Sequence, residues 1–282
     1  EMISAIEQRV QLERDGFALF DEVFDRDEIG AIDAVSQNVL NGQDDQHFEA
    51  QRSTGSMVSV VEHEVFVDVI TSVKIRRIFA DLGFDDPRFS SGYLIAKRGQ
   101  SPPLFWHQDW YCWSDQNSYT DQIQQVFVMV YLVDTERANG CLRVVPGSHR
   151  RRTEIHDLLP EAHSDELRRM SDPHHLAYAD YASAIDVPSR VGDVIVGDAR
   201  LIHGAYGNTS GRPRPLLTLW YHPDFTRLPE PVQAAIAEHK LPTDWRSVAL
   251  DRLRPMWASY DGAAAPSPKN RKPDHRLTHD AS

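Results

Sequence analysis

The sequence has 282 residues with 42 acidic and 30 basic side chains, which gives a formal net charge of −12 at pH 7. It contains no long block of Lys and Arg that could follow a phosphate backbone, so we expect no nucleic-acid or membrane partner and favour a small molecule. Two cysteines, Cys112 and Cys141, are too few for a disulfide framework, and no apolar run approaches the roughly 20 residues of a membrane-spanning helix.

Length alone does not require more than one domain, because β-barrel domains also reach this size, and we expect a single domain over residues 1–282. The first residues, Glu1-Met2-Ile3, are not typical of a signal peptide. The low cysteine content then favours a reduced, cytoplasmic protein.

The N-terminal part, about residues 1–85, is predicted to be rich in helix. Apolar side chains recur three and four positions apart in three segments, residues 3–14, 25–40 and 66–82. Between the first two segments, residues 16–20 are typical of a short strand. The polar residues 41–56 indicate a loop.

From about residue 88 to 225 the pattern changes to short apolar runs rich in β-branched and aromatic residues, separated by Gly, Pro and Asn turns. Strands are predicted at residues 89–96, 104–109, 125–133, 141–145, 185–187, 192–198, 201–203 and 216–221. A charged segment at about 150–183, with helical fragments at 157–159 and 165–170, is predicted to be an insertion. Many short strands with such turns predict an α+β fold, in which the N-terminal helices buttress a jelly-roll core.

The C-terminal part, about residues 229–282, is predicted to be a helix and a tail. Residues 232–240 have the spacing of one amphipathic helix. The tail from residue 263 is small, polar and Pro-rich, and its composition provides no reason to expect packing.

One imidazole and one carboxylate stand two residues apart at the end of a predicted strand. In an extended backbone, His107 and Asp109 point to the same side and can reach one metal ion. His203 follows another apolar strand and is the natural third ligand. Two imidazoles and one carboxylate are the ligand set of non-haem Fe(II) oxygenases, although a zinc hydrolase would also tolerate it.

An arginine that could bind a dicarboxylate cosubstrate would favour the oxygenase over the hydrolase, because the planar guanidinium suits a carboxylate. Arg214 follows His203 after a Gly/Asn/Ser turn and shares strand parity with Leu216, Thr218 and Trp220. Arg212 competes with it but lies closer to the turn, so Arg214 is preferred.

These pieces occur in an order and spacing that resemble the phytanoyl-CoA dioxygenase family of Fe(II)/2-oxoglutarate oxygenases over about residues 10–225. The matching motifs are Trp106-His107-Gln108-Asp109, Asn139-Gly140-Cys141-Leu142, Val145-Pro146-Gly147-Ser148-His149, Gly192-Asp193-Val194 before His203, and Asn208 with Arg214. One departure is Ala205, where relatives often have serine.

The resemblance implies a double-stranded β-helix, cupin-like core in which His107, Asp109 and His203 bind iron. It also implies that Arg214 holds 2-oxoglutarate, with further contacts from Gln108 and Gln125. Such an enzyme consumes dioxygen, converts 2-oxoglutarate to succinate and carbon dioxide, and acts as a hydroxylase on a small molecule. Desaturation, epimerisation or ring formation would begin in the same way.

The presence of Asp109 argues against halogenation, since halogenases of this superfamily have Ala or Gly at this position. A non-enzymatic cupin-like protein that holds metal and ligand, and a zinc-dependent hydrolase, remain alternatives. A second His-x-Asp, at His222-Pro223-Asp224, is disfavoured because its central proline favours a turn. His149 is interpreted as part of a structural turn.

Substrate contacts are less specific in the sequence. Trp110 and Trp113 follow the ligands and could form a substrate wall for a cationic group, or simply a packed loop. Lys97, on the strand before the metal pair, would equally serve an anionic substrate. The sequence does not distinguish these two substrate charges.

Overall fold

The computed structural model describes residues 4–279 of the chain. Its α-helices, numbered in chain order, are Ala5–Asp15 (α1), Arg26–Leu40 (α2), Asp45–Ala50 (α3), Val67–Ile70 (α4), Val73–Asp81 (α5), Glu154–Leu158 (α6), Asp165–Arg169 (α7), Glu230–Ile236 (α8) and Ser247–Leu253 (α9). Local sequence explains their limits. In α1, the Ser4 hydroxyl accepts a hydrogen bond from the backbone N–H of Glu7, and Gly16 ends the helix at a φ of +88°.

The strands form two antiparallel sheets. They are Phe17–Phe20 (β1), Val58–Ser59 (β2), Arg88–Lys97 (β3), Leu104–His107 (β4), Val126–Tyr131 (β5), Leu142–Val144 (β6), Ile185–Val187 (β7), Val194–Asp198 (β8), His203–Ala205 (β9) and Arg214–His222 (β10). The larger sheet has the order β1-β8-β5-β10-β3-β2, and the smaller sheet has the order β4-β9-β6-β7. This is the expected jelly-roll core with helices, so the α+β prediction is confirmed.

The two faces of the larger sheet pack against different partners. Its outer face joins α2, α5 and α9 in one apolar cluster, where Phe79 contacts Tyr221 with ring centroids 5.1 Å apart. Its inner face packs against the smaller sheet, with Tyr131 and Leu216 beside Leu142 and Val144. Because side chains alternate along each strand, residue parity decides which side chains reach the space between the sheets.

Three segments differ from the prediction. The expected loop at 41–56 contains α3, whose Asp44 cap accepts a hydrogen bond from the N–H of His47. The helix expected at 66–82 is divided into α4 and α5 by a turn at Thr71 and Ser72, and the Ser72 hydroxyl caps the second piece. The helix α9 was not predicted.

The C-terminal tail is packed, contrary to the expectation from its composition. The backbone of Asn270 bonds to Tyr111 and Trp113, and the carbonyl of Thr278 accepts from the N–H of Arg152. Leu277 is only 4 % exposed. The tail is held by backbone groups of other segments, which its own composition does not reveal.

Among residues 4–279, no helix has the length and apolar character needed to cross a membrane.

Candidate metal centre

Among residues 4–279, one group of histidine and acidic side chains converges closely enough to hold a metal ion, and it consists of His107, Asp109 and His203. The antiparallel neighbours β4 and β9 pair His107 directly with His203, and the two ring centroids lie 4.2 Å apart. Asp109 follows two residues after β4 ends. Its Oδ1 is 3.4 Å from Nε2 of His107, and its Oδ2 is 3.6 Å from Nε2 of His203.

Both imidazoles are oriented by their own strands. The Nδ1 of His107 lies 3.0 Å from the carbonyl oxygen of Phe105, and the Nδ1 of His203 lies 3.0 Å from that of Leu201. Because a carbonyl oxygen can only accept, each Nδ1 carries the proton and each Nε2 offers a lone pair. Metal-binding histidines are commonly fixed in this way, so the donor set fits a divalent metal ion.

The protonation states also suit a metal ion. Burial would raise the pKa of the Asp109 carboxyl, but His203 and His107 beside it hold that pKa below its usual value. Burial, together with the neighbouring His107, lowers the pKa of His203 to about 4. At neutral pH the centre therefore offers an ionised carboxylate and a neutral His203, the forms that bind metal.

Asp109 is held in place from the larger sheet. The indole Nε1 of Trp220 donates a hydrogen bond of 2.9 Å to Oδ2 of Asp109. The backbone N–H of Asp109 donates to the carbonyl of Ala199 at 2.9 Å. Phe127 closes the other side, with its ring centroid 4.7 Å from that of His203. Neither Trp220 nor Phe127 was singled out by the sequence, although parity with Arg214 places Trp220 on the inner face.

Two buried cations lie side by side on the inner face. Arg214 and Lys97 are directly paired in β10 and β3, and each is at most 2 % exposed. Lys97 donates to the carbonyls of Ser53 at 2.7 Å and Pro102 at 2.5 Å, whereas the Nε of Arg214 has no partner. In the described part of the chain, neither cation has a carboxylate within ion-pair distance.

This uncompensated pair fits an anionic ligand. Burial lowers the pKa of both groups, and Arg214 lowers that of Lys97 further. Buried charges are normally paired, so the two cations leave room for a carboxylate that would balance them. Arg212 is exposed in the turn before β10, which agrees with the preference for Arg214 as the residue further from the turn.

Other polar atoms on the inner face lack partners. Oε1 of Gln125 and Oγ1 of Thr218 are buried without a hydrogen bond. The hydroxyl of Tyr131 donates only to the sulfur of Met129 at 3.8 Å, and the Arg214 guanidinium lies 5.8 Å from the Tyr131 ring centroid. Buried polar atoms usually have partners, so these atoms can accommodate a polar cosubstrate. Gln125 was predicted to do so, whereas Tyr131 and Thr218 were not.

Gln108 does not join this group. Its side-chain amide donates to the carbonyl oxygen of Arg200 and lies 3.5 Å from Nε2 of His156. Alternation along the chain points Gln108 away from the side that His107 faces. The Gln108 amide therefore braces the turn before His203, and its contact with the cosubstrate stays a prediction.

The tryptophans predicted to form a substrate wall are packed in the interior. Trp110 and Trp113 are fully buried in an apolar cluster with Val232 and Ile236 of α8 and with Leu277 of the tail. The alternative of a packed loop is therefore the correct one. Lys97, also predicted to contact substrate, lies beside Arg214 on the inner face of the larger sheet.

The other histidines considered from the sequence lie apart from the metal centre. His222 is buried between the carbonyl of Gln124 and the hydroxyl of Ser90, at 3.0 Å from each. Its neighbour Asp224 accepts from the backbone N–H of Asp85. The Nε2 of His149 lies 3.1 Å from the carbonyl of Glu13, in agreement with a structural role.

Two side chains near the centre were not predicted. His163, in the insertion, has its ring centroid 5.0 Å from that of His107 and adopts a left-handed φ of 65°. Arg271, in the tail, donates from Nη1 to the backbone carbonyl of Asp109 at 2.9 Å. Both lie on segments whose composition is typical of exposed loops, so no local signal could have identified them.

Comparison with known families gives one match over most of the chain. The model of the family described as phytanoyl-CoA dioxygenase matches residues 12–216. Among curated proteins, the ectoine dioxygenase of Sphingopyxis alaskensis is 26 % identical over 240 residues, which cover 79 % of this chain and 78 % of that protein. The ectoine dioxygenase of Bordetella parapertussis is 24 % identical over 231 residues, covering 74 % and 72 % respectively.

Solved structures have the same fold. The non-heme alpha ketoglutarate dependent epimerase SnoN from nogalamycin biosynthesis superposes with a TM-score of 0.59 at 19 % identity and covers 97 % of both chains. EctD from S. alaskensis with bound Fe gives a TM-score of 0.58 at 21 % identity and covers 96 % of this chain and 88 % of that chain.

Proposed function

The chain belongs to the phytanoyl-CoA dioxygenase family, and from this premise we propose that His107, Asp109 and His203 bind its iron and that Arg214 binds its 2-oxoglutarate. The protein is an Fe(II)/2-oxoglutarate-dependent dioxygenase that acts on a small molecule. The direct pairing of His107 with His203 across β4 and β9 is the observation that carries the assignment of the ligands.

Bound iron and 2-oxoglutarate supply the oxidative chemistry, in which dioxygen is consumed and 2-oxoglutarate is decarboxylated to succinate as the substrate is oxidised. The residues of this chain position those groups. The two strands hold the imidazoles on one side, and Trp220 fixes the carboxylate of Asp109. An arrangement with three protein ligands on one side leaves other positions for the cosubstrate and dioxygen.

The inner face of the larger sheet supports the placement of 2-oxoglutarate. Its distal carboxylate would accept hydrogen bonds from Arg214, whose Nε has no protein partner, and Lys97 would add positive charge. Gln125, Tyr131 and Thr218 offer further polar atoms. The apolar side chains of Phe127 and Leu216 surround them, so the interaction takes place away from water.

Anaerobic titration tests this assignment. Adding 2-oxoglutarate to the Fe(II)-loaded protein should produce the charge-transfer absorption of a bidentate complex. Arg214→Ala should retain Fe(II) binding but weaken 2-oxoglutarate by about 2–5 kcal/mol, or roughly 30-fold or more. Arg212→Ala is the matched control, because Arg212 is exposed. Equal 2-oxoglutarate affinities of wild type and Arg214→Ala would contradict the assignment.

We also propose that the chain acts as one oxygenase domain, since the N-terminal helices pack on the larger sheet, the insertion packs on the smaller sheet, and the tail packs on α8 and on the loop that follows β4. Cys112 and Cys141 are both buried as free thiols. These thiols support our proposal that the protein works in a reducing compartment such as the cytoplasm.

A further inference from the structure

The C-terminal tail brings a cation to the metal centre. The N–H of Asn270 donates to the carbonyl of Tyr111 at 2.7 Å, and the N–H of Trp113 donates to the carbonyl of Asn270 at 3.1 Å. The next residue, Arg271, then reaches the backbone carbonyl of Asp109 through Nη1 at 2.9 Å. Its guanidinium lies 5.8 Å from the Tyr111 ring centroid. The tail therefore anchors a positive charge on the backbone of a proposed metal ligand.

Arg271 has no acidic partner within residues 4–279. This distinguishes it from Arg276 on the same tail, which forms an ion pair with Asp274 at 2.8 Å. It also differs from Arg152, which pairs with Asp157. A guanidinium has five N–H donors, and the bond to Asp109 uses one of them. The remaining donors of Arg271 are available to a ligand.

The groups around Arg271 are polar and also lack protein hydrogen-bond partners among the described residues. They include the ring of His163 and the hydroxyl of Tyr93. Tyr93 packs against Trp220 with ring centroids 5.7 Å apart, and His163 packs against His107, so both adjoin the metal centre. Arg271 is close enough to lower the pKa of each. For His163, burial and His107 lower the pKa more strongly and Asp109 raises it; for Tyr93, burial and Glu62 raise the pKa more strongly.

Formal charges favour an anion at this position. Iron contributes two positive charges, and Lys97 and Arg214 contribute one each. The cosubstrate dianion and Asp109 offset three of these four charges. Arg271 adds a further positive charge. Arg168, which is paired with Asp165, adds positive potential at His163, and the exposed Glu62 adds negative potential at Tyr93. The loaded centre is thus cationic within a chain whose net charge is −12.

We propose that Arg271 binds an anionic group of the substrate, a carboxylate or a phosphate, and so orients the substrate beside the iron. The inference rests on the proposed function, because it assumes that iron and 2-oxoglutarate occupy the centre. It decides the substrate charge that the sequence leaves open in favour of an anion. It also assigns specificity to the tail and not to Trp110 and Trp113.

The test uses the full chain loaded anaerobically with Fe(II) and 2-oxoglutarate, and it follows the charge-transfer absorption as probes are added. The probes are inorganic phosphate, acetate, and a panel of linear and cyclic amino acids with their matching primary amides and decarboxylated amines. Acids and phosphate should shift the absorption, and the neutral amides and the amines should not. A response limited to acetate and amino acids would identify a carboxylate site, and a response limited to phosphate would identify a phosphate site.

Three variants connect the response to Arg271. Arg271→Gln should raise the dissociation constant of the responding anion at least about tenfold while leaving the affinity for 2-oxoglutarate unchanged. Arg271→Lys should be intermediate, because it keeps the charge without the planar fork. Lys272→Gln is the matched control, since Lys272 is the adjacent, exposed cation of the tail.

Each outcome has one meaning. Failure of wild-type protein to form the charge-transfer complex would overturn the proposed function. A normal complex that no anion perturbs, or that amides or amines perturb as strongly as acids do, would overturn only the inference about Arg271. An unchanged anion affinity in Arg271→Gln would do the same.

Discussion

The indole of Trp220 donates a hydrogen bond to the carboxylate of Asp109. A side chain of β10, in the larger sheet, therefore orients a proposed metal ligand that follows β4, in the smaller sheet. Trp220→Phe removes this bond but keeps the aromatic ring. Because partners of metal ligands fix ligand geometry, we expect a roughly 10- to 100-fold loss of Fe(II) affinity, measured by anaerobic metal titration.

The control for this variant is Trp245→Phe, since the Trp245 indole donates to the carbonyl of Val61 on the helical side of the larger sheet. This change should leave Fe(II) affinity unaltered. If both variants bind Fe(II) as well as the wild type, the Trp220 bond does not orient Asp109.

Gly197 leaves the space that Phe127 needs beside His203. A Cβ at Gly197 would overlap the Phe127 ring, which lies 4.7 Å from the His203 ring between centroids. Gly197→Ala should therefore cost about 1–3 kcal/mol of unfolding free energy and weaken metal binding. Gly30→Ala is the control: no atom lies within 4 Å of a Cβ there, and it should stabilise α2 by about 0.5–1 kcal/mol. Urea denaturation with and without metal measures both effects.

Buried His222 should make stability depend on pH. Burial lowers its pKa to about 3, against about 6.5 in an unfolded chain. Below pH about 6.5 the unfolded chain takes up a proton that the folded protein does not, so stability falls as pH decreases toward 3.

Replacing His222 with Gln should reduce this dependence. His222→Gln should be less stable at pH 8 but should lose less stability on acidification, by up to about 1.4 kcal/mol per pH unit between pH 6 and 4. Urea denaturation at several pH values measures the slopes, with exposed His174→Gln as control. Identical slopes for wild type and His222→Gln would show that His222 is not buried in its neutral form.

Packing of the tail predicts a cost for truncating its apolar side chain. Leu277 is 4 % exposed in the cluster that holds Trp113, so Leu277→Ala should cost about 2–3 kcal/mol. Leu176, which is 51 % exposed, is the matched control, and Leu176→Ala should change stability by less than about 0.5 kcal/mol. Equal midpoints for the two variants in urea would mean that the tail is not docked.

The features that could be predicted from the sequence depend on short-range geometry. Alternation along a strand places His107 and Asp109 on one side. The distance from the turn is also a local feature, and it favours Arg214 over Arg212, which have the same strand parity. The turns and apolar runs that define the strands of the core are also local, and they predicted the jelly roll correctly. The spacing of apolar side chains that predicted α1 and α2 is also a local feature of the sequence.

What could not be predicted depends on segments distant in the chain. From the sequence, Trp110 and Trp113 could form a substrate wall. In the structure α8 and Leu277 cover them, and both are distant from them in the sequence. His163 and Arg271 lie in polar segments. Backbone hydrogen bonds, such as those of Asn270, fix the position of such segments, and amino-acid composition does not reveal these bonds. Strand periodicity also cannot show that the Gln108 amide is already engaged by Arg200.

During protein synthesis, the bond between Arg271 and Asp109 can form only after the residues of the metal centre have been made. The three side chains that we propose to bind iron emerge from the ribosome well before residue 271, so we expect metal to be able to enter while the tail is still being made. We expect a nascent chain that stops before Asn270 to bind Fe(II) yet to consume 2-oxoglutarate without discriminating among substrates. Comparing the metal content and the succinate produced by chains of increasing length would show whether metal loading precedes selectivity.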